Sequence, residues 1–305
     1  MDISQLEAFL KVVEFGSFTR AARELGVSQP AISQQMARLE ETLRQPLFER
    51  QGRSVRLTHA GETLRARAEQ IVSMVRDTRR EVTDDGSSGR IVVGGIPTIA
   101  PYFLPPLIAR YHKRFPQVRI ELREDVTERL LRLCQQGEID VAVMALPIDE
   151  TGLKVELLFD EPLLLAVPSA HPLSARDRIR PADLEDEQFV LLGEEHCLRG
   201  DVVRFCQRHA FQPVSVNQAQ QLTTVEQLVA SGFGVSFVPA MAVDAVAARR
   251  VVHRPLTSGG PRRKIAACWN PVRYQTKVLR EFFREMRAFA AEHKKSHGES
   301  ASGGS

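Results

Sequence analysis

The sequence predicts an α/β protein with an all-helical N-terminal head, a long linker helix and a two-lobed α/β domain. Three observations predict this fold. The first 83 residues are patterned as helices, apart from a short β-like stretch near 47–57, and the acidic, Gly/Ser-rich DDGSSG follows. From residue 90 onward, apolar strands alternate with helical segments, as in a parallel sheet. We therefore expect a helical head in 1–59, a linker helix and hinge in 60–89, a two-lobed domain in 90–295 and a disordered tail in 296–305.

Composition narrows the class of protein. The chain has 305 residues, of which 43% are hydrophobic and 26% charged, with a net charge of +3. That length is sufficient for two domains with real cores. No apolar run approaches the roughly 20 residues of a membrane helix, and the start, MDISQLEAFLKVV, lacks the basic region of a secretory signal. We expect a cytoplasmic protein that makes no membrane contact.

The four cysteines, at positions 134, 197, 206 and 268, show no CxxC spacing. Structural disulfides are rare in a reducing cytoplasm, and zinc sites usually show paired cysteines. The sequence therefore predicts no metal or other cofactor. A cysteine pair that matters in this chain would be reactive, and Cys134 and Cys268 are expected to be core residues.

Residues 17–43, SFTRAARELGVSQPAISQQMARLEETL, predict two short helices joined by a turn. Gly26 suits the left-handed conformation that ends a helix. Ser28 is a good N-cap and Pro30 fits a first helical turn. Ile32, Met36 and Leu39 then form the buried stripe of the second helix. Such a pair of helices is the helix-turn-helix that enters a major groove.

The polar side of that second helix supplies candidate base contacts, because Gln bonds adenine bidentately and Ser contacts bases or phosphates. The following LFERQGRSVRLT (47–58) predicts a two-stranded wing with its turn at Gln51-Gly52, where arginines, Arg56 among them, lie along the DNA backbone. The alternative is an ordinary helical subdomain with a solvated charged face. The candidates for DNA contact are Thr19, Gln29, Pro30, Ser33, Gln34, Arg50 and Arg53.

The elements of the α/β domain follow in order. Strands are predicted at 90–97, 118–124, 140–146 and 264–270, and helices at 102–115, 127–137, 199–209 and 277–295. A second run of strands and helices between the third and fourth strands predicts the second lobe.

The head also carries a family resemblance. The segment AFLKVVEFGSFTRAARELGVSQPAISQQMARLEETLRQPLFER and the later RLTHAG (56–61) resemble the winged helix-turn-helix of LysR-type transcriptional regulators, as does GFGVSFVPAM (232–241). The resemblance implies a helix from about Ala60 to Thr83 through which subunits dimerise. It also implies effector-sensing lobes like those of periplasmic binding proteins, a homodimer or homotetramer on double-stranded DNA, and RNA polymerase as a partner. Paired heads also gain affinity from linkage.

Within that family, HCLRGDVVRFC (196–206) is similar to the redox segment of OxyR-type peroxide sensors. The resemblance implies that hydrogen peroxide oxidises Cys197 and that Cys206 then forms a disulfide with it. It places Thr98 and Thr127 at the two threonines of the peroxide site. It implies activation of oxidative-stress genes, with the glutaredoxin or thioredoxin system as reductant.

The local chemistry supports a reactive thiol at Cys197. The thiolate is the form that attacks peroxide, and a thiol just before the predicted helix 199–209 lies near unpaired N–H groups that favour negative charge. We expect His196 and Arg199 to add positive charge or donors and so to lower the pKa of Cys197. Thr98 and Thr127 follow strand ends, which face a common crevice in α/β sheets, where donors can stabilise a departing hydroxide.

The spacing of the two cysteines has a geometric consequence. Nine residues along a helix span roughly 13 Å, whereas a disulfide needs Cα atoms within about 7 Å. Bonding Cys197 to Cys206 therefore requires the segment to unwind or fold back, which can shift a subunit interface and the spacing of the DNA-binding heads.

Other functions stay open from the sequence. The cysteines can be incidental in a regulator that binds a small metabolite between its lobes. A thiol peroxidase and a free solute-binding protein are further alternatives, but neither has a use for a helix-turn-helix. The sequence shows no catalytic triad, Walker loop or dinucleotide fingerprint, so we predict no enzyme.

Overall fold

The computed structural model describes residues 1–51, 54–149, 151–177, 179–243, 250–257 and 260–298. The chain divides into two compact units, residues 1–83 and residues 84–305. Each unit is described by itself.

The first unit contains the predicted helix-turn-helix, wing and linker helix. Three of its helices begin at a Ser or Thr cap: Ser17, Ser28 and Thr58 each accept a hydrogen bond from a backbone N–H of the first turn. Gly26 has a φ of +67°, the left-handed conformation expected at the turn. The elements are α1 (Ile3–Phe15), α2 (Phe18–Glu24), α3 (Gln29–Leu43), β1 (Phe48–Gln51), β2 (Ser54–Leu57) and α4 (His59–Val82).

The wing is fastened to α3 by one carboxylate. Glu40 accepts hydrogen bonds from the backbone N–H groups of Leu47, at 2.7 Å, and Phe48, at 3.3 Å. The strands β1 and β2 are antiparallel, and their last pair is Gln51 with Ser54. Helix α3 packs through Ile32, Met36 and Leu39, the stripe that the sequence predicts.

The second unit is built on a seven-stranded mixed sheet and a separate parallel pair of strands. Its strands are β3 (Gly89–Gly95), β4 (Val118–Glu124), β5 (Val141–Ala145), β6 (Lys154–Pro168), β7 (Gln188–Leu192), β8 (Val214–Ala219), β9 (Ser236–Pro239), β10 (Val251–Arg254) and β11 (Arg262–Trp269). Its helices are α5 (Ala100–Arg114), α6 (Thr127–Gln136), α7 (Cys197–Arg208), α8 (Leu222–Ala230) and α9 (Lys277–Gly298). The large sheet has the order β10-β6-β11-β5-β3-β4, β9 also pairs with β6, and β7 pairs with β8.

Two separate hydrophobic cores divide the second unit into two lobes. The first core is formed by β3, β5, the start of β6, most of β11 and helices α5, α6 and α9. The second is formed by the end of β6 and by β7, β9, α7 and α8. Along β6, Phe159 belongs to the first core and Leu163 to the second. Strands β6 and β11 therefore connect the lobes, and residues 160–162 lie at the junction.

Several element bounds differ from the sequence predictions. Helix α5 begins at Ala100 and α7 at Cys197, two residues earlier than expected in each case. Helix α7 starts early because a turn closes just before it, with the backbone N–H of His196 bonded to the carbonyl of Gly193. Helix α9 continues to Gly298, so the first residues of the predicted disordered tail are helical. Its sequence contains no Gly or Pro before that position, and residues 299–305 lie outside the described part.

In the part of the chain that the structure describes, no helix is both long enough and apolar enough to cross a membrane.

Candidate functional site

The two thiols of the predicted redox pair lie in different surroundings. Cys197 is the first residue of α7, with His196 at the N-cap position. Helix α7 belongs to the second lobe, yet the half-buried side chain of Cys197 packs against the core of the first lobe. Cys206 is fully buried in the core of the second lobe. All four cysteines are free thiols.

The helix keeps these sulfurs apart. Nine residues of α-helix are about two and a half turns, so the two side chains leave opposite faces and their Cα atoms are roughly 13 Å apart along the axis. The position of Cys197 against one core and Cys206 inside the other agrees with this geometry. A bond between them requires several turns of α7 to break.

A buried ion pair stands at the junction of the two lobes. Arg263 on β11 and Glu161 on β6 are directly opposite each other in the antiparallel register, and Arg263 Nε donates to Glu161 Oε2 at 2.7 Å. Arg263 and Glu161 are only 2% and 1% exposed. Arg263 also donates through Nη1 to Thr98 Oγ1 at 2.7 Å and through Nη2 to the Thr98 carbonyl at 3.0 Å. One guanidinium thus fixes Thr98, which follows β3, to the two strands that connect the lobes.

The side chain of Asp201 lies one turn after Cys197 on α7. It is buried, and its Oδ1 accepts a hydrogen bond from Arg204. Its Oδ2 is buried and has no hydrogen-bond partner among the described residues. Burial raises the pKa of Asp201, and the charges of Arg204 and Arg263 oppose that rise.

The pKa of Cys197 is raised, which contradicts the expectation of a lowered one. Burial is the largest cause; the positive charge of Arg263 and the backbone N–H groups at the start of α7 act in the opposite direction, and the charge of Asp201 adds to the rise. The helix N-terminus therefore does favour the thiolate, but removal of the thiol from water costs more. Burial also raises the pKa of Cys206, to about 11.

The Arg199 side chain is held by other groups. The Arg199 guanidinium donates to the carbonyl of Leu192 at 3.2 Å and lies 3.7 Å from Glu194 Oε1. The positive charge that acts on Cys197 is that of Arg263. His196 is buried, and its Nε2 lies 3.8 Å from Glu195 Oε1.

The two threonines lie at the same edge of the sheet. Thr98 follows β3 and is buried, while the half-buried Thr127 begins α6 just after β4. Strands β3 and β4 are parallel neighbours, so their carboxyl ends meet there. Thr127 does not cap its helix, because the N-cap position is held by Val126 and no side chain caps it.

Sequence reasoning missed Arg263, Glu161 and Asp201. A usable signal was present in PRRKIAACW, because residues alternate between the two faces of a strand. Arg262 and Lys264 are exposed, which places Arg263 inward with the apolar residues of β11. A charged residue at an inward position of an apolar strand indicates a buried, paired group.

The raised pKa of Cys197 predicts a steep pH dependence of its oxidation. Because only the thiolate attacks peroxide, the rate of Cys197 oxidation should rise about tenfold per pH unit between about pH 6 and pH 8. The rate of sulfenic acid formation, trapped with dimedone in the Cys206→Ala protein, measures this. A rate that is flat over this range would mean that the thiol is already ionised.

The candidate DNA-contacting face of α3 is exposed in the isolated first unit. On α3, Gln29, Pro30 and Gln34 are exposed and Ser33 is half-buried, and Thr19 on α2 is also exposed. Gln29 Nε2 donates to Ser33 Oγ at 2.8 Å, which fixes both groups on one face. Arg50 pairs with Val55 within the wing and its side chain is outside the described atoms, and Arg53 lies outside the described residues.

Comparisons with known proteins agree with this architecture. Residues 3–62 match the family of bacterial regulatory helix-turn-helix proteins of the lysR type, and residues 84–291 match the LysR substrate binding domain. The chain therefore belongs to the LysR family of transcriptional regulators, and it is a regulator rather than an enzyme.

Within this family the chain is OxyR-like. The hydrogen peroxide-inducible genes activator of Dickeya chrysanthemi is 33% identical over 306 residues, 99% of each chain. A full-length OxyR variant from Pseudomonas aeruginosa superimposes with a TM-score of 0.76 and 31% identity, covering 94% of this chain and 98% of that one. A peroxide-bound OxyR mutant from Corynebacterium glutamicum has a TM-score of 0.59 and 32% identity, covering 96% and 95%.

Proposed function

We propose that this protein is a DNA-binding transcriptional regulator that hydrogen peroxide switches through a reversible Cys197–Cys206 disulfide. The observation that carries the proposal is the position of Cys197: it is at the start of α7, under the charge of Arg263, with Cys206 nine residues away in another core. The names of the similar activators, and the peroxide-bound OxyR mutant, support hydrogen peroxide as the effector.

The chemistry has two balanced steps. The Cys197 thiolate attacks one peroxide oxygen, the O–O bond breaks, and hydroxide leaves as Cys197 becomes a sulfenic acid. The sulfur of Cys206 then attacks the sulfenic sulfur, the S–O bond breaks, and water leaves with the Cys206 proton. Peroxide is reduced to water and the two thiols are oxidised to one disulfide.

Thr98 is the best placed donor for the first step. Its hydroxyl oxygen accepts a hydrogen bond from Arg263, so the hydroxyl proton is free to donate to a peroxide oxygen. Arg263 polarises that hydroxyl and favours the attacking thiolate. Thr127, His196 and Arg199 complete the proposed peroxide pocket.

The switch acts through the packing of α7. Bonding requires α7 to unwind or fold back, which disrupts the packing around Cys206 in the core of the second lobe and changes the surface of that lobe. Helix α4 carries exposed apolar side chains at Met74 and Val82, 70% and 81% exposed, which suit a helix that pairs with a second copy. We place the regulator in the cytoplasm as a dimer or tetramer on duplex DNA. RNA polymerase is its proposed partner in transcription, and the glutaredoxin or thioredoxin system is the proposed reductant of the disulfide.

Peptide mapping after mild oxidation tests this function. The reduced full-length protein is treated with micromolar peroxide, alkylated and digested, and in parallel it is footprinted on its own upstream DNA. A linked Cys197–Cys206 peptide together with a changed footprint is expected. No linked peptide at these doses would contradict the proposal and favour a regulator that responds to a metabolite between its lobes.

The predicted base contact of α3 has its own test. Gln34→Ala should weaken binding to specific DNA by about fivefold or more, because a bidentate base contact contributes about 1–3 kcal/mol. Peroxide-dependent disulfide formation should be unchanged. Gln45→Ala, the same change at an exposed site after the end of α3, is the matched control. Equal losses in both variants, measured by fluorescence anisotropy, would show that Gln34 makes no specific contact.

A further inference from the structure

A cleft of about 550 Å³ lies beside the redox site, between helix α7 and strand β11. Its lining includes Asp201, Arg204 and Arg208 from α7, and Arg262, Arg263 and Lys264 from β11. A volume of this size is typical of small-molecule sites and far exceeds the needs of a peroxide molecule. Apart from Arg263 and Asp201, the residues around it take no part in the proposed peroxide chemistry.

The cleft is strongly cationic. Arg263 is paired with Glu161, and Arg204 with Asp201. The exposed Arg208 and Lys264 have no carboxylate partner within the described ranges, and the guanidinium of Arg262 reaches only the carbonyl of Asp160, at 3.4 Å. Cations that surround a concave surface concentrate anions there, and the unpaired arginines suit the paired oxygens of phosphates and carboxylates.

One residue that lines the cleft has an unsatisfied acceptor. Asp201 is 9% exposed, and its Oδ2 has no hydrogen-bond partner in the described part of the chain. A buried acceptor without a partner is costly, and a ligand that carries a hydroxyl or amino group beside its anionic groups would satisfy it.

We propose that this cleft binds a small multivalent oxyanion, with phosphate or carboxylate groups, and that the bound anion restrains α7 against disulfide formation. The anion would bridge Arg204 and Arg208 on the helix to Arg262 and Lys264 on the strand. Closing the disulfide breaks α7 and separates these groups, so the anion must bind the reduced form more tightly than the oxidised form, and it opposes oxidation by the same factor. The restraint rests on the proposed redox function, whereas the binding site does not.

Calorimetry on the reduced full-length protein tests the site, with pyrophosphate and citrate as probes in a constant excess of sodium chloride. At least one probe should bind, and Arg208→Gln with Lys264→Gln should weaken its binding at least tenfold. Lys113→Gln with Arg132→Gln removes the same charge from exposed positions of α5 and α6 and should bind like the wild type. Absence of binding by both probes, or equal binding by both double variants, overturns the site. The preferred probe distinguishes a phosphate from a carboxylate ligand.

The restraint is tested by the time course of the Cys197–Cys206 bond after a peroxide pulse. With saturating probe, disulfide formation in the wild type should slow at least fivefold while sulfenic acid at Cys197 accumulates. The Arg208→Gln/Lys264→Gln protein should show no such slowing. An unchanged rate in the wild type overturns the proposed restraint but does not affect the proposed binding site. If no disulfide forms even without probe, the proposed function is wrong, and the calorimetry alone decides the site.

Discussion

The Cys197→Ser protein is expected to bind its operator as the reduced wild type does and to lose its response to peroxide entirely. Serine preserves the size of the side chain at the start of α7 and its contact with the first core, but its hydroxyl does not attack peroxide at neutral pH. Footprints with and without micromolar peroxide should be identical.

Two further variants make this result specific. Cys206→Ala should still be oxidised at Cys197 to a sulfenic acid that dimedone traps, but it should form no intramolecular disulfide. Cys134→Ala removes a fully buried thiol of the first lobe and should respond to peroxide normally. If Cys197→Ser still changes its footprint with peroxide, the sensing assignment is wrong.

Replacing Arg263 should have the second largest effect, on both stability and reactivity. Arg263→Met leaves the carboxylate of Glu161 buried without its cation, and breaking a buried pair in this way costs about 3–5 kcal/mol. The thiolate of Cys197 also loses its stabilising charge, and Thr98 loses the donor that holds it. We expect the rate of Cys197 oxidation to fall about a hundredfold, as when a preorganised donor is removed.

A paired replacement separates the two effects. The Arg263→Met/Glu161→Met protein has no uncompensated buried charge, so it should be more stable to urea than Arg263→Met alone. Its peroxide reaction should stay as slow as that of the single variant. Recovery of the reaction rate together with stability would show that Arg263 only holds the fold.

The head could be predicted almost completely from the sequence because its signals are local. Ser17, Ser28 and Thr58 mark helix starts within a few residues, and Gly26 marks the turn. Most strands of the second unit could be located in the same way, although β10 and the first half of β6 were not predicted. Both thiols of the candidate pair were found from a single segment.

What could not be predicted depends on contacts between distant segments. Arg263 and Glu161 meet only because β6 and β11 pair, and Thr98 meets them only because the first lobe closes on these strands. The sign of the pKa shift of Cys197 was wrong for the same reason. The helix N-terminus can be recognised from local sequence, but the burial that outweighs it comes from the other lobe's core.

The backbone of Cys197 belongs to the second lobe, but its side chain is buried against the core of the first lobe. The burial of this thiol therefore depends on how the two lobes are packed together. A ligand, a bound partner or the operator DNA that separates the two lobes would expose the sulfur to water. Hydration would lower the pKa of Cys197, because burial is the main cause of its rise. The rate of Cys197 oxidation at a given peroxide concentration should therefore differ between the DNA-bound and the free protein.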